Sequence, residues 1–336
     1  MKDSMDLQAC CVLVTPITFG KADPALKSTL EQSVGKVIYN PLSRPLAAEE
    51  LIPLIKEADG YIAGLDQVDA SVIEAAGRLK VIARYGVGID RVDVPAATRR
   101  GVVVTNTPGA NSAAVAELAI TLMLALGRDL CRADRAIRRG EWLRVMGVGL
   151  RGKAVGLVGF GAIGREVALR LKGFGCRVLA FDPYVKPEVL EGIGVERADL
   201  DELLAQSDFV SLHTALTAGT AAMVDRSFLN KMKPGSFLVN TARGELVDEG
   251  ALKETLEEGR LRGAALDCFS EEPPPVHHPL FSLPQVLATP HMAAHTDEAV
   301  HTMGRMSVEA CLAVLRGERP AHVVNPEALA GDRVHL

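Results

Sequence analysis

The sequence predicts an α/β protein of two doubly wound parallel-sheet domains with a cleft between them. Three observations lead there. Short Val/Ile-rich runs alternate with longer helical patterns, the alternation comes in two series, and 336 residues suffice for about two domains. Such alternation favours parallel strands joined by crossover helices. The first series reads as five buried strands: Cys10–Thr15, Lys36–Tyr39, Gly60–Ala63, Leu79–Ala83 and Val102–Thr105. Helices are expected at Pro24–Ser33, Ala47–Ala58, Ala70–Ala76 and Val94–Arg99, with Gly35 and Gly101 where C-caps belong. Pro53 is expected to kink or shorten the second of them.

The second series predicts six strands: Ala154–Gly159, Arg177–Asp182, Phe209–His213, Ser236–Asn240, Ala264–Cys268 and Val286–Thr289. Helices are expected at Ala162–Phe174, Leu200–Gln206, Ser227–Met232 and Asp248–Glu258. Between the two series lies a helical region, Asn111–Trp142, whose first part is apolar nearly all round. It must therefore be buried on more than one side, in a deep core or at a subunit interface. The last pattern, Thr296–Arg316, is a long amphipathic helix expected to pack back on the first series. The expected domains are thus residues 1–107 with 295–336, and residues 108–294.

Composition excludes several function classes. Apolar residues make up 48% and charged residues 24%, which argues against disorder. A net charge of −5 with 4% aromatics is the opposite of a nucleic-acid-binding surface. The six cysteines form no C-x-x-C pair and read as reduced thiols. Residues 1–14 carry Lys2, Asp3 and Asp6 without a signal pattern. The longest apolar stretch, Ala113–Gly127, is interrupted by Glu117 and Thr121 and falls short of the ~20 residues a bilayer needs. The expectation is a soluble, cytoplasmic protein with no membrane segment. With only a short tail beyond Arg316, no appended regulatory domain is expected.

The strongest motif is Gly159-Phe-Gly161-Ala-Ile-Gly164, between a hydrophobic strand and a helix. Gly159 permits the tight turn, Gly161 lets a pyrophosphate approach the backbone, and Gly164 lets helix and strand pack closely. The phosphates would meet free amides at the helix start, those of Ala162 and Ile163. The next strand ends at Asp182, 18 residues beyond Gly164, close to the ~20 expected of a ribose-binding acid. Asp182 would bond both adenosine ribose hydroxyls and repel a 2′-phosphate, which favours NAD over NADP. A Walker-type reading of Gly147-x-x-x-x-Gly152-Lys153 fails, because Ala154 replaces the magnesium-binding hydroxyl and the motif precedes its strand.

With a nicotinamide implied, four positions near the C-terminal ends of second-series strands stand out: Arg243, Asp267, Glu272 and His291. They suit oxidation of a secondary alcohol next to a carboxylate. His291 would take the hydroxyl proton as hydride leaves, and Glu272 would fix the tautomer and favour the charged imidazole. Arg243 would bind the substrate carboxylate, a charge-assisted bond worth about 1.5–3 kcal/mol. Asp267 would anchor the nicotinamide carboxamide. His295, four residues after His291, invites a metal reading, but neither an H-E-x-x-H glutamate nor a cysteine pair supports it, so no metal is expected. His277 and His278 are assigned to a turn after the proline run.

From about Gly60 to Asn325 the chain resembles the D-isomer-specific 2-hydroxyacid dehydrogenase family, most of all its phosphoglycerate-dehydrogenase-like branch. The residues that carry the resemblance are Arg84-Tyr-Gly-Val-Gly-Ile-Asp, Asn106-Thr-Pro-Gly-Ala-Asn, Val115-Ala-Glu, the glycine motif, Leu212-His-Thr, Asn240-Thr-Ala-Arg-Gly, Asp267 with Glu272-Pro, and Thr289-Pro-His. The resemblance implies a Rossmann cofactor domain and a flavodoxin-like substrate domain. It places the family's triad on Arg243, Glu272 and His291 and its carboxylate loop on Tyr85–Gly88, with the Val87 and Gly88 amides binding the acid and Arg84 touching substrate. Cofactor contacts carry over to Ala162, Ile163, Asp182, His213, Thr214, Thr241, Ala242 and Asp267. It also implies a homodimer formed through the cofactor domains, with the Ala113–Leu126 helix buried against its partner.

Departures narrow the substrate. The arginine and serine that often hold a substrate phosphate near Ala63-Gly64 are missing, which weakens a phosphorylated substrate. Ala215 replaces a usual proline, Ala294 a common glycine, and Glu272 stands where formate dehydrogenases use glutamine. The expected activity is NAD-dependent interconversion of a small D-2-hydroxy acid and its 2-oxo acid, with substrate in the interdomain cleft and domain closure excluding water. The alternatives are a non-catalytic NAD-sensing corepressor or another oxidoreductase of the superfamily, such as a phosphite-oxidising one.

Overall fold

The computed structural model describes residues 6–329. The charged start at residues 1–5 and the end of the expected discontinuous domain, residues 330–336, lie outside the described residues. The chain divides into two compact units, Met1–Asn111 with His295–Leu336, and Ser112–Ala294. Each is a parallel α/β sheet.

The first unit contains β1 (Cys11–Val14), β2 (Lys36–Tyr39), β3 (Gly60–Ala63), β4 (Val81–Arg84) and β5 (Val103–Thr105), in the order β2-β1-β3-β4-β5. All its pairings are parallel. β1, β3 and β4 are buried throughout, which is why they read as unbroken apolar runs rather than alternating ones. The helix over Ala48–Ile55 ends three residues short of its expected limit, yet Pro53 sits inside it. Glu50 caps its start by accepting from the Ala47 amide. The helix Asp297–Leu315, capped by Thr296, packs on β3 and β4 of this unit.

The second unit contains β6 (Ala154–Val158), β7 (Arg177–Phe181), β8 (Glu196–Arg197), β9 (Phe209–Leu212), β10 (Phe237–Asn240), β11 (Gly263–Leu266) and β12 (Val286–Ala288). The order is β12-β11-β10-β9-β6-β7-β8, again all parallel. The six expected strands are present. The seventh, β8, is a two-residue exposed edge with no apolar run to announce it. A five-residue helix, Pro187–Glu191, was likewise not expected. Strand order reverses between β6 and β9, the crevice position where such sheets bind ligands.

Two cores cover the faces of this sheet. One gathers Leu203, Val210, Phe228, Leu238 and Leu252, the other Ala116, Met123, Leu157, Phe160, Phe209 and Phe237. The apolar helical region resolves into two helices, Ser112–Gly127 and Leu130–Arg138. The first packs on β10, β11 and the helix Ala162–Leu171. Burial within its own unit therefore accounts for most of its apolar surface. The residues left exposed lie after it: Leu130, Ile137, Trp142, Leu143 and Met146. Among the described residues no helix is long and apolar enough to cross a membrane.

Candidate active site

The glycine turn closes β6 as its residues require. Gly159 has φ +98°, and a Cβ there would stand 2.6–2.7 Å from the His213–Thr214 backbone. Only glycine lets the loops after β6 and β9 approach so closely. A Cβ on Gly164 would meet the Gly159 carbonyl at 2.5 Å, so the helix Ala162–Leu171 packs directly on the turn. A Cβ on Gly161 would meet nothing within 4 Å, which leaves open space above the turn. Gly161 caps this helix without a side-chain bond. Among the described residues the Ala162 and Ile163 amides have no acceptor, the condition for an anion site at a helix start. Asp182 directly follows β7 and accepts from the Phe160 amide at 2.8 Å and the Tyr184 amide at 2.9 Å. The ribose-binding candidate is thereby tied to the glycine turn itself.

Further buried polar atoms lack protein partners on the same side of the sheet. Both His213 ring nitrogens and the Thr241 hydroxyl are inaccessible and, among the described residues, unbonded. Burial lowers the His213 pKa to about 4 and keeps the ring neutral near pH 7. Orphaned polar groups are costly unless a ligand or water meets them. Together with the open space at Gly161 and the free helix amides, they fit a bound dinucleotide.

Beyond β10, β11 and β12, three loops converge. Asn240 closes the first: its Nδ2 donates to the Arg243 carbonyl at 2.7 Å and its Oδ1 accepts from the Ala242 amide at 3.0 Å. Arg243 donates through Nη1 to the Ala242 carbonyl at 2.6 Å. A Cβ on Gly244 would lie 1.9 Å from the Phe269 backbone carbon, so only a glycine lets this loop touch the next. In that second loop the Phe269 amide donates to Glu272 Oε1 at 3.1 Å. Both Glu272 oxygens reach His291 Nδ1 at 2.9 Å.

The third loop carries His291 at φ +49°, a conformation non-glycine residues rarely take. Such a backbone costs about 1–3 kcal/mol and persists only where its surroundings enforce it. Asp267 does so here. Fully buried at the end of β11, it accepts from Thr289 Oγ1 at 2.6 Å, the Met292 amide at 2.9 Å and the Ala293 amide at 2.9 Å. These bonds clamp the loop on both sides of His291. Sequence reasoning gave Asp267 a cofactor contact and missed this bracing role, which no linear pattern announces.

A second brace was also missed. His278 closes the expected turn, its amide donating to Pro275 O at 3.0 Å, and its side chain is buried, with Nε2 3.1 Å from Glu249 Oε2. Its ring lies against Phe269 and Phe281. Glu249 also accepts from the Ser270 amide at 3.0 Å and Ser270 Oγ at 2.9 Å, so it holds the loop that carries Glu272. His277 and His295 are exposed.

In the first unit the loop after β4 is pinned by its carbonyls. Thr107 N donates to Gly86 O at 3.1 Å and Asn106 Nδ2 to Val87 O at 2.9 Å. Among the described residues the Val87 and Gly88 amides have no acceptor. Tyr85 is buried, its hydroxyl donating to Val300 O at 3.0 Å, and burial raises its pKa to about 12. Arg84 is buried too, and its Nη1 donates to Ala63 O at 3.3 Å and Tyr85 O at 2.6 Å.

Comparison with known proteins agrees with this geometry. Residues 120–293 match the model described as D-isomer specific 2-hydroxyacid dehydrogenase, NAD binding domain. The chain is 45% identical over 284 residues to the D-3-phosphoglycerate dehydrogenase of Methanocaldococcus jannaschii, covering 83% of this chain and 54% of that protein. It thus spans about half the length of the first curated relatives it matches. It is 42% identical to the glyoxylate reductase of Thermofilum pendens, covering 91% of this chain and 93% of the relative. Among solved structures, D-lactate dehydrogenase from Aquifex aeolicus complexed with NAD and lactic acid superposes with TM-score 0.83 at 27% identity, over 94% of this chain and 99% of that one. With the glycine turn, the buried acid after β11 and the His–Glu contact all on one sheet edge, the chain belongs to the D-isomer specific 2-hydroxyacid dehydrogenase family.

Proposed function

We propose that this chain interconverts a small D-2-hydroxy acid and its 2-oxo acid, with NAD as cofactor. The observation that carries the reading is the 2.9 Å contact between His291 Nδ1 and the Glu272 carboxylate, on the sheet edge that also holds the glycine turn. A carboxylate only accepts, so the ring proton resides on Nδ1 and Nε2 keeps its lone pair. Nε2 therefore takes the hydroxyl proton in oxidation and returns it in reduction, while Glu272 stabilises the imidazolium between the two events. Arg243 holds the substrate carboxylate and polarises the C2 oxygen. In the first unit, the Val87 and Gly88 amides, with Arg84 and Tyr85 shaping their loop, support a part for that loop in binding an acid.

NAD supplies the hydride carrier. The Ala162 and Ile163 amides would hold its pyrophosphate and Asp182 its adenosine ribose. His213, Thr214, Thr241, Ala242 and Asp267 would complete the contacts. Asp182 is the support for NAD over NADP, since a carboxylate repels a 2′-phosphate. Within this reading the protein is a cytoplasmic homodimer, and exposed Leu130, Ile137, Trp142 and Met146 support a partner on the cofactor unit.

The test is NADH oxidation, followed by absorbance, with glyoxylate, hydroxypyruvate and phosphohydroxypyruvate. Turnover of at least one is expected, and His291→Ala should lower kcat by about 10²–10⁴-fold with NADH affinity retained. Absence of turnover across the panel overturns the enzyme reading. Unchanged kcat in the variant overturns the assignment of His291.

A further inference from the structure

Cys268 takes no part in the chemistry proposed above, yet it lies against it. It follows β11, is 1% exposed, and its thiol donates to Ala242 O at 3.4 Å. Its sulfur, a Glu272 oxygen and a His291 ring nitrogen all lie within 4.8 Å of one another. Asp267, Glu272, Glu245 and Arg243 are among the charged groups around the thiol. The carboxylates favour a cation beside the sulfur, while burial first and then those same charges keep the thiol protonated in its absence.

The donor types select among cations. Thiolate and imidazole suit zinc-class ions, whereas magnesium and calcium prefer all-oxygen sites. Around a tetrahedral zinc, with bonds of about 2.0–2.3 Å, ligand atoms stand roughly 3.3–3.7 Å apart. His291 and Glu272 are already in contact, so the sulfur must close by about 1 Å, within reach of a side-chain rotation. Three protein ligands would leave the fourth position for water.

We propose that Cys268, Glu272 and His291 form an inhibitory site for a thiophilic divalent cation of the zinc class. On binding, the thiol releases its proton to solvent and a metal–sulfur bond forms, with no change of oxidation state. Either mode of imidazole ligation blocks proton transfer. Metal on Nε2 occupies the lone pair, and metal on Nδ1 moves the ring proton to Nε2. Occupancy stands on the ligand geometry alone, while the loss of turnover rests on the acid–base reading of His291. Linear spacing concealed the site, because Cys268 and His291 meet only where β11 and β12 end side by side.

The experiment titrates Co2+ into the full chain and follows thiolate-to-cobalt charge-transfer absorption, beside Zn2+ inhibition of 2-oxo acid reduction. The expected result is a band at one equivalent that Cys268→Val abolishes. The Zn2+ concentration for half-inhibition should rise at least about tenfold in that variant, since losing even an outer-shell partner costs 10–100-fold. Metal-free turnover of the variant should stay unchanged. Cys268→Ser serves as the second variant should valine disturb the core, with unfolding transitions checking both. A band and a Zn2+ sensitivity that survive in the variants, or no thiolate band at all, overturn the site. A chain that turns over none of the acids overturns the enzyme reading, and the cobalt titration then decides the site by itself.

Discussion

Asp66 and Asp267 occupy comparable places in the two sheets, one just beyond β3 and the other just beyond β11, both buried. Asp66 accepts from the Leu46 amide at 2.7 Å, the Gly64 amide at 3.1 Å, Tyr61 OH at 2.8 Å and Thr15 Oγ1. Those partners belong to the loops and strands of its own core. Asp267 instead spans His291, binding residues 289, 292 and 293. One device, a buried carboxylate satisfied by neutral donors, thus tethers a sheet edge in the first unit. In the second it also holds the His291 backbone in a strained conformation.

That contrast can be broken by substitution. Asp267→Asn should have the largest effect: an amide NH2 would face a backbone N–H that the carboxylate now satisfies. Stability should fall by about 3 kcal/mol in denaturant titrations, and kcat by about 100-fold as the His291 loop relaxes. Retained kcat in the folded variant would reduce Asp267 to a purely structural tether.

His213 predicts a pH effect confined to the second unit. Its pKa falls from 6.5 to about 4 on folding. Below pH 6.5 the unfolded imidazole gains a proton that the folded one refuses, so stability declines as pH drops toward about 4. The expected loss is about 3 kcal/mol across that window, absent in His213→Gln; comparing urea midpoints at its two ends checks it. Equal slopes in both proteins would mean that the ring is solvated in the folded state.

Asp66→Asn should cost about 2 kcal/mol of stability and leave kcat of the folded protein within a factor of two or so. A large fall in kcat there would erase the distinction between the two carboxylates. The smallest change is expected from Asp182→Ser, about a tenfold shift in the ratio of NADH to NADPH efficiency, measured as kcat/KM for each. No shift would leave Asp182 as a tether for the Phe160 and Tyr184 amides alone.

Much of this was legible along the chain. Gly60–Ala63, Val94–Arg99 and Leu200–Gln206 occur with the expected bounds, because buried parallel strands are continuous apolar runs and helix ends carry caps. Lys36–Tyr39 also has its expected bounds but not its expected burial: it is the edge strand of its sheet, with Lys36 exposed and Val37–Tyr39 half-buried. β8 was not legible, since two exposed polar residues pair only because β7 is already in place. The helix Ser112–Gly127 was correctly expected to be buried on several sides, but only the fold shows that its own unit supplies most of that burial. His278 was expected in a turn and closes one on Pro275, but its burial was not legible. Its burial depends on Glu249, 29 positions away.

The order of strands, the glycine turn with Asp182, and the residue types able to handle a proton and a carboxylate were determined by the sequence alone. Periodicity and capping act over a few residues and need no knowledge of the rest of the chain. Which carboxylate braces, which histidine has a strained backbone and which thiol lies beside the His–Glu pair were decided by tertiary structure. Those relations join groups from separate strand ends, and only sheet register brings them within hydrogen-bonding distance.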